Sequence, residues 1–422
     1  MNEKTLSAMV KTVLLIFLVL LTFSNAYGSG FGIFTQGASA LGQAAAVVAH
    51  TDQPSAVFYN PALINDLPGT QIELGTTLTF PSRSFTSALD GTRSSTESDI
   101  FYPSTLFLTH AFNDRFSAGF GAFTPFGQGT RWDDNWEGRY ITTNAEMETY
   151  TLNPAVSYRL TPRISIAAGL DFLWLKTTME QKINTQAITG LPLADTGQKF
   201  SGDGNGVGYN LGIFINFTDS LSIGVSYRSE IEVDIKGDIT FDRPTALLEG
   251  LLPNTAGNTE ITLPQQVFAG ISYRISERMM VEAGMRWEDW SSFNELKIDL
   301  NRPVLFQQTI TQEKDWHDTY AFNIGARYLI NENLALLGGY LYGNNAVPDH
   351  SFEPSVPDSD VHLFCAGIDV KYKQINVGLS YAYQLMEKRD KLNDVGALSG
   401  GTANGEYESD AHMLAVSLVY RF

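Results

Sequence analysis

The sequence predicts an all-β protein: a transmembrane antiparallel β-barrel of about fourteen strands whose lumen holds an N-terminal, mostly helical hatch. Three observations carry this reading. From about residue 70 to the C-terminus, segments of ten or more residues alternate apolar with small or polar side chains. Short turns and long polar connections follow one another in strict alternation between those segments. The last segment, HMLAVSLVYRF, carries Leu414, Val416, Leu418, Tyr420 and Phe422 on one face and ends on an aromatic.

The chain opens with an apolar run, VLLIFLVLLTF at 13–23, preceded by Lys4 and Lys11 and followed by SNAYG. That run is about half the roughly 20 residues a spanning helix needs, so residues 1–26 are expected to be a secretory signal peptide cleaved after Ala26. Asn-Pro-Ala occurs at 60–62 and again at 153–155, the tripeptide on which the half-helices of water channels open. A helical channel is nonetheless excluded, because no other segment is apolar enough and the mean hydropathy is only −0.09. The single cysteine, Cys365, rules out a disulfide framework, and a net charge of −18 argues against nucleic acid. Acidic loops on an exported protein more simply serve solubility.

Period-two alternation separates two environments along each strand. Ile164, Ile166, Ala168, Leu170, Phe172 and Trp174 share one face, and Ser165, Gly169 and Asp171 the other. The same split runs through LSIGVSYRSE, TYAFNIGARY and INVGLSYAYQ, each apolar face ending in an aromatic. Turns at 112–115, 160–163, 217–220, 275–278, 330–333 and 371–374 join strands in pairs. Longer connections near 82–98, 125–146, 183–203, 235–260, 299–308, 344–360 and 388–406 separate the pairs. Short turns at one end and long loops at the other describe an outer-membrane barrel over 70–422. A β-sandwich also alternates, but its strands usually run only about 5 to 6 residues and need no aromatic girdle.

Residues 27–69 do not alternate. QGASALGQAAAVVAH is rich in small helix-compatible residues, and Pro54, Pro61 and Pro68 then break the chain repeatedly. An apolar, nearly uncharged piece of this kind suits a plug inside the lumen, where irregular backbone survives because protein surrounds it. A disordered periplasmic tail would carry more charge.

The stretch GFGIFTQGASALGQAAAVVAHTDQPSAVFYNPAL resembles the N-terminal hatch of the FadL-type outer-membrane transporters of long-chain fatty acids and hydrocarbons. TPFGQGTRWDDNWEGRY at 124–140, TLNPAVSYRLTPRISIAAGLDFL and the closing YESDAHMLAVSLVYRF are similar to that family as well. The resemblance implies a monomeric fourteen-stranded barrel plugged by the hatch, in agreement with the strand count. It also implies a route: capture on an outer apolar groove, a lumenal pocket, and sideways exit at a kinked third strand.

Candidate residues follow. AITGLPLA at 187–194 and TALLEGLL at 245–252 are apolar stretches in outer connections. The family's third and fourth long loops form its outer groove, which makes Ile188, Leu191, Leu193, Leu247, Leu248, Leu251 and Leu252 the expected capture residues. Packing of these loops on each other to cap the barrel is the plainer reading, and both can hold together. In the third strand Gly119 and Gly121 share a face with Pro125 just beyond, and glycine weakens a ladder to which proline cannot donate. This is the expected lateral opening. Asn60, Pro61 and Ala62 form a hatch gate element, Pro61 ending one arrangement and Asn60 capping the next, whereas the second triplet lies in a strand with Asn153 inward and Pro154 toward lipid.

Alternation sends Arg159, Asp171, Arg228, Glu230, Glu282, Arg286, Glu288 and Arg327 into the lumen. An arginine there suits a fatty carboxylate, which makes Arg159, Arg228, Arg286 and Arg327 headgroup candidates, with Arg139 of EGRY added by the family match. Mutual pairing of these charges is the commoner arrangement. GDGNGVG at 202–208 lacks the Lys-Ser/Thr of a phosphate loop and reads as a flexible loop. No metal-ligand spacing, no cofactor motif and no nucleophile elbow appears. The expected function is passive uptake of long-chain fatty acids or other hydrophobic compounds across the outer membrane. The partners are those small molecules, outer-membrane lipid and the barrel-insertion machinery. A porin or a lipid-active outer-membrane enzyme is the alternative.

Overall fold

The computed structural model describes residues 30–422, so the predicted signal peptide and the start of the predicted hatch lie outside the described residues. Fourteen antiparallel strands close on themselves. They are β1 (Thr70–Ser87), β2 (Ser104–Ala111), β3 (Phe116–Phe123), β4 (Asn144–Thr161), β5 (Ile164–Ile183) and β6 (Thr196–Asn216). Four strands follow in two pieces each: β7 (Leu221–Arg228, then Ile231–Asp242), β8 (Thr255–Leu263, then Gln266–Arg274), β9 (Met279–Glu288, then Glu295–Val304) and β10 (Gln307–Glu313, then Thr319–Asn331). The last are β11 (Leu334–Gly343), β12 (Val361–Tyr372), β13 (Ile375–Met386) and β14 (Gly405–Arg421). β1 pairs with β14 from Gln71↔Arg421 to Ser87↔Gly405, which closes the barrel and leaves no sheet edge in lipid.

The alternation sorts residues as expected. Leu170, Phe172, Trp174, Leu211, Leu379, Leu414 and Leu418 project outward, and Asp171, Asn210, Ser380 and Ser417 are buried inside. Outward aromatics gather beside the short turns, where Phe112, Phe116, Tyr158, Phe217, Tyr328 and Tyr372 form the periplasmic girdle. Asn153 is fully buried and Pro154 faces out.

Two expectations are corrected. GDGNGVG is not a loop but part of β6, paired with β5 and β7. Its even-numbered glycines face inward beneath side chains of β7. A Cβ at Gly204 would sit 2.9 Å from Val233, and one at Gly206 would sit 2.5 Å from Ile231. Glycine carries no polarity sign, which is why alternation missed the strand. Glu230, expected in the lumen, is exposed at the break in β7. Between the pairs Asn210↔Arg228 and Asn205↔Asp234, β7 carries one residue more than β6, and this bulge shifts the period.

Inside the barrel lies the hatch. Its helical content is confined to α1 (Ala38–Gly42), α2 (Ala56–Tyr59) and a 3-10 turn at Pro61–Asp66, with the rest irregular. Irregular backbone without water must find partners on the wall. Glu282 of β9 accepts from the N–H of Val48 at 2.6 Å and of Ala49 at 3.1 Å, and lies 2.6 Å from His50 Nδ1. Asn323 of β10 donates to the Ala44 carbonyl and Arg228 of β7 to the Phe58 carbonyl. On the seam strands, Glu73 of β1 accepts from Ser55 N–H, Ser417 of β14 accepts from Ala38 N–H, and Arg421 donates to the Asp52 carbonyl.

Close approach requires bare backbone on the wall. A Cβ at Gly224 would sit 2.0 Å from the Val48 carbonyl oxygen, and one at Gly339 2.5 Å from the Gln43 carbonyl carbon. Glu282→Ala strips two hatch amides of their acceptor, each left unmet at a cost of about 1–3 kcal/mol. The expected outcome is a folded, heat-modifiable barrel whose hatch amides exchange at least tenfold faster, with current bursts in planar bilayers that the parent protein lacks.

Candidate functional site

Above the hatch, toward the long connections, the lumen encloses a cavity of about 580 Å³. Its walls are more apolar than polar: Phe200, Ile235, Ile261, Phe293, Ile298 and Trp316 form the apolar part, and Glu146, Thr177, Glu180, Gln198 and Thr259 are among the polar residues that border it. Alternation produces this lining, because at the outer ends of β6 to β9 the inward positions are apolar rather than polar. The upper rim carries Ile188 of the third connection, Leu305 of the β9–β10 hairpin, and Val395 and Leu398 of the seventh connection. At that hairpin's tip Leu305 and Phe306 both hold positive φ, the two-residue turn that Asn-Gly usually makes, and Leu305 N–H donates to the Leu251 carbonyl.

One buried ion pair borders this chamber. Lys314, buried, pairs with Glu353 of the sixth connection, and both border the cavity. Burial alone would raise the Glu353 carboxyl, but Lys314 beside it holds it below the usual range. Neither residue was singled out from sequence. Lys314 lies in EKDWH, between the two pieces of β10, where no alternation assigns a direction.

A second cavity, of about 540 Å³, lies beside the first. Phe31, Gln128, Glu146 and Met147 border both. Phe31 is a hatch residue packed against Trp290, with ring centroids 4.5 Å apart, and against Trp316 and Phe293. The residue before it is tied to the sixth connection, where Asp358 Oδ2 accepts from Gly30 N–H at 3.1 Å and from Ala346 N–H at 2.8 Å. Burial pushes the Asp358 carboxyl up to about 6.

This second cavity reaches the outer wall where the third strand is interrupted. β3 stops at Phe123, and the chain resumes as a short piece, Gly127–Arg131, paired to β4 alone. The hatch meets the gap: Ile33 N–H donates to the Pro125 carbonyl, Gly127 N–H to the Phe31 carbonyl, and Gln36 Nε2 to the Thr124 carbonyl. Gly119 and Gly121 do not mark the gap. Both sit in an intact ladder between β2 and β4, where they make room for Val57 and Ile64 of the hatch and for Phe107 and Phe123. Pro125 lies in the interruption itself.

The remaining expected residues separate by location. Leu252 is buried in the apolar cluster with Ile239 and Phe241, Leu251 packs against it, Leu248 is buried as well, and Leu247 projects into solvent. None of these four leucines borders the cavity, whose outer lining comes from the second, third, fifth, sixth and seventh connections. Leu191 is exposed and Leu193 half-buried beside Ile188. Each candidate arginine has a carboxylate: Arg139 pairs with Asp195 at 3.0 Å, Arg159 with Asp66, Arg228 with Asp171 at 2.7 Å, Arg286 with Glu288 at 3.2 Å, and Arg327 with Asp52 and Asp369. Arg228 also stacks on Phe58 and Phe123, and Arg286 on Phe34. Asn60 caps the 3-10 turn that Pro61 begins, accepting from Ala62 N–H at 3.1 Å, and donates to the Val48 and Ile213 carbonyls.

A family model described as an outer membrane protein transport protein (OMPP1/FadL/TodX) matches residues 19–422. The long-chain fatty acid transport protein of Salmonella typhi is 25% identical over 100% of both chains. The 47 kDa outer membrane protein of Pasteurella multocida is 24% identical over 94% of this chain and 95% of its own. Among solved structures, a Pseudomonas aeruginosa FadL homologue superposes with a TM-score of 0.83 at 19% identity, covering 93% of this chain and 100% of that one. The P. putida toluene transporter TodX gives 0.72 at 16% identity, over 92% and 99%. These two show a shared fold. With the family match running over nearly the whole chain, the protein belongs to the OMPP1/FadL/TodX family of outer-membrane transport proteins.

Proposed function

We propose that this protein carries long-chain fatty acids or similar amphipathic hydrocarbons across the outer membrane without energy coupling, by capture at the outer rim, storage in the lumen and sideways release into lipid. The observation that carries the reading is the apolar chamber with a single buried ion pair, closed below by the hatch. A hydrocarbon chain moving from that chamber into lipid loses nothing, whereas an aqueous exit would oppose it by roughly 0.8 kcal/mol per methylene. Ile188, Leu305 and Leu398 form the capture rim in this scheme, with Leu191 and Leu193 behind it. The lumenal arginines, being matched to carboxylates, act as anchors of the hatch, and Lys314 becomes the headgroup residue.

Gating falls to the hatch. Phe31 stands where the two cavities meet, and the chain following it pairs with the interrupted part of the third strand. Withdrawal of Phe31 would join the cavities and at the same time free the carbonyls of Thr124 and Pro125. Asn60, Pro61 and Ala62 set the lower bend of the same element. The exit lies at Thr124–Phe126, just past Gly119 and Gly121. An open porin is disfavoured by the filled lumen, and steady large currents in planar bilayers would restore that reading.

Three outcomes test the scheme. Lys314→Met with Glu353→Met removes the ion pair without stranding a charge. It should cut labelled fatty-acid uptake about tenfold while leaving uptake of a neutral alkane, and equal losses for both would assign the pair to structure alone. Pro61→Ala should lower uptake without preventing barrel insertion, and unchanged uptake counts against a gating bend. Asp358, raised to about 6 from an unfolded value near 4, binds its proton more readily folded than unfolded. Its contribution therefore stabilises the fold as pH falls through 6 and is lost as pH rises above it, by up to about 3 kcal/mol. Urea titrations at pH 5 and 8 should show about 1.4 kcal/mol of that difference in the parent protein and less in Asp358→Asn.

A further inference from the structure

The gap in the third strand is not empty. β2 begins at Ser104, and the chain before it is held to β1 by a bridge in which Thr79 N–H donates to the Phe101 carbonyl at 2.8 Å and Phe101 N–H to the Thr79 carbonyl at 3.0 Å. Ile100 and Tyr102 turn outward, so Phe101 is the side chain of this segment that turns into the gap. The tip of its ring lies against bare backbone on the far side. A Cβ at Gly129 would sit 2.2 Å from the ring's Cζ and 2.4 Å from Cε1. The outer end of the gap is tied shut by Glu97 N–H donating to the Arg131 carbonyl at 2.8 Å, and the Gly129 carbonyl is fixed by Arg83 Nη1 at 2.6 Å.

We infer that Phe101 is the gate of this lateral window and that its ring, seated on Gly129, limits the girth of what leaves. The inference rests on the lateral-exit reading above. The backbone on both sides of the window is fixed, by the Thr79–Phe101 bridge to β1 on one side and the ladder to β4 on the other, whereas the ring is held by packing alone. A rotamer change of one side chain costs far less than breaking a strand and occurs much faster than strand rearrangement. A slim alkyl chain needs only that the ring swing aside, and a fused-ring ligand needs more width than the swing provides. Glycine at 129 is what lets the ring close completely.

The test compares oleate with a pyrene-labelled fatty acid in cells carrying equal amounts of heat-modifiable barrel. Phe101→Ala should raise the ratio of pyrene-lipid to oleate uptake at least threefold. Gly129→Ala should raise it similarly by dislodging the ring, and the double variant should match Phe101→Ala alone, since the Cβ then has no ring to displace. Parental ratios in both single variants, or additive effects in the double, would overturn the gate. Gly129→Phe fills the window and should block both ligands. If it blocks while the other variants keep the parental ratio, the gate fails and lateral exit stands, and if it transports normally, lateral exit itself fails.

Discussion

Everything inside this barrel depends on satisfying polar backbone without water. The hatch is short on helix, so only part of its backbone pairs within itself, as Ala44 N–H does with the Leu41 carbonyl, and for the rest the wall must supply donors and acceptors one by one. Three carboxylates in the wall, Glu73, Glu282 and Asp369, accept from hatch groups, and Asn323, Arg228 and Arg421 donate to them. Each of those carboxylates would be costly to bury alone. Glu282 has two amides and an imidazole beside it, and Asp369 has Arg327 and the Ser39 hydroxyl, so the hatch is as much the stabiliser of the wall's charges as its dependent.

This division of labour leaves the outer lumen free for apolar surface. The buried ion pairs that hold the hatch lie in the lower half, and the chamber above has rings and branched chains as the larger part of its lining, with Lys314 and Glu353 as its one buried pair among the described residues bordering it. A chain that filled its whole lumen with paired charges would have no place for a hydrocarbon. The hatch therefore shapes the site twice, by closing the floor and by taking up the charge.

The barrel was legible because lipid and lumen impose opposite chemistry on alternate residues, and in ISIAAGLDFLW the outward face is wholly apolar while Ser165, Gly169 and Asp171 mark the inward one. Legibility failed where a residue carries no sign or where partners lie far apart. Gly202, Gly204, Gly206 and Gly208 hid a strand behind apparent flexibility. The arginines were located correctly in the lumen, but Arg228 finds Asp171 and Arg327 finds Asp369 across strands that no local pattern pairs. Leu248 and Leu252 were visible as apolar and not as buried, since a loop's covering depends on its neighbours. Lys314 and Phe101 sit in segments outside the regular ladder, where neither period two nor a turn signature says which way a side chain points.

The seam between β1 and β14 joins the two ends of the barrel chain, and the hatch lies across it. Ser55 is held by β1 and Ala38 by β14, while other hatch residues are held by β7, β9 and β10. No partly formed sheet presents this set of partners together. The docked hatch thus joins the first and last strands a second time, through their side chains. A seam paired one residue out of register would turn Glu73 or Ser417 to the other face and cost the plug its hold on that strand.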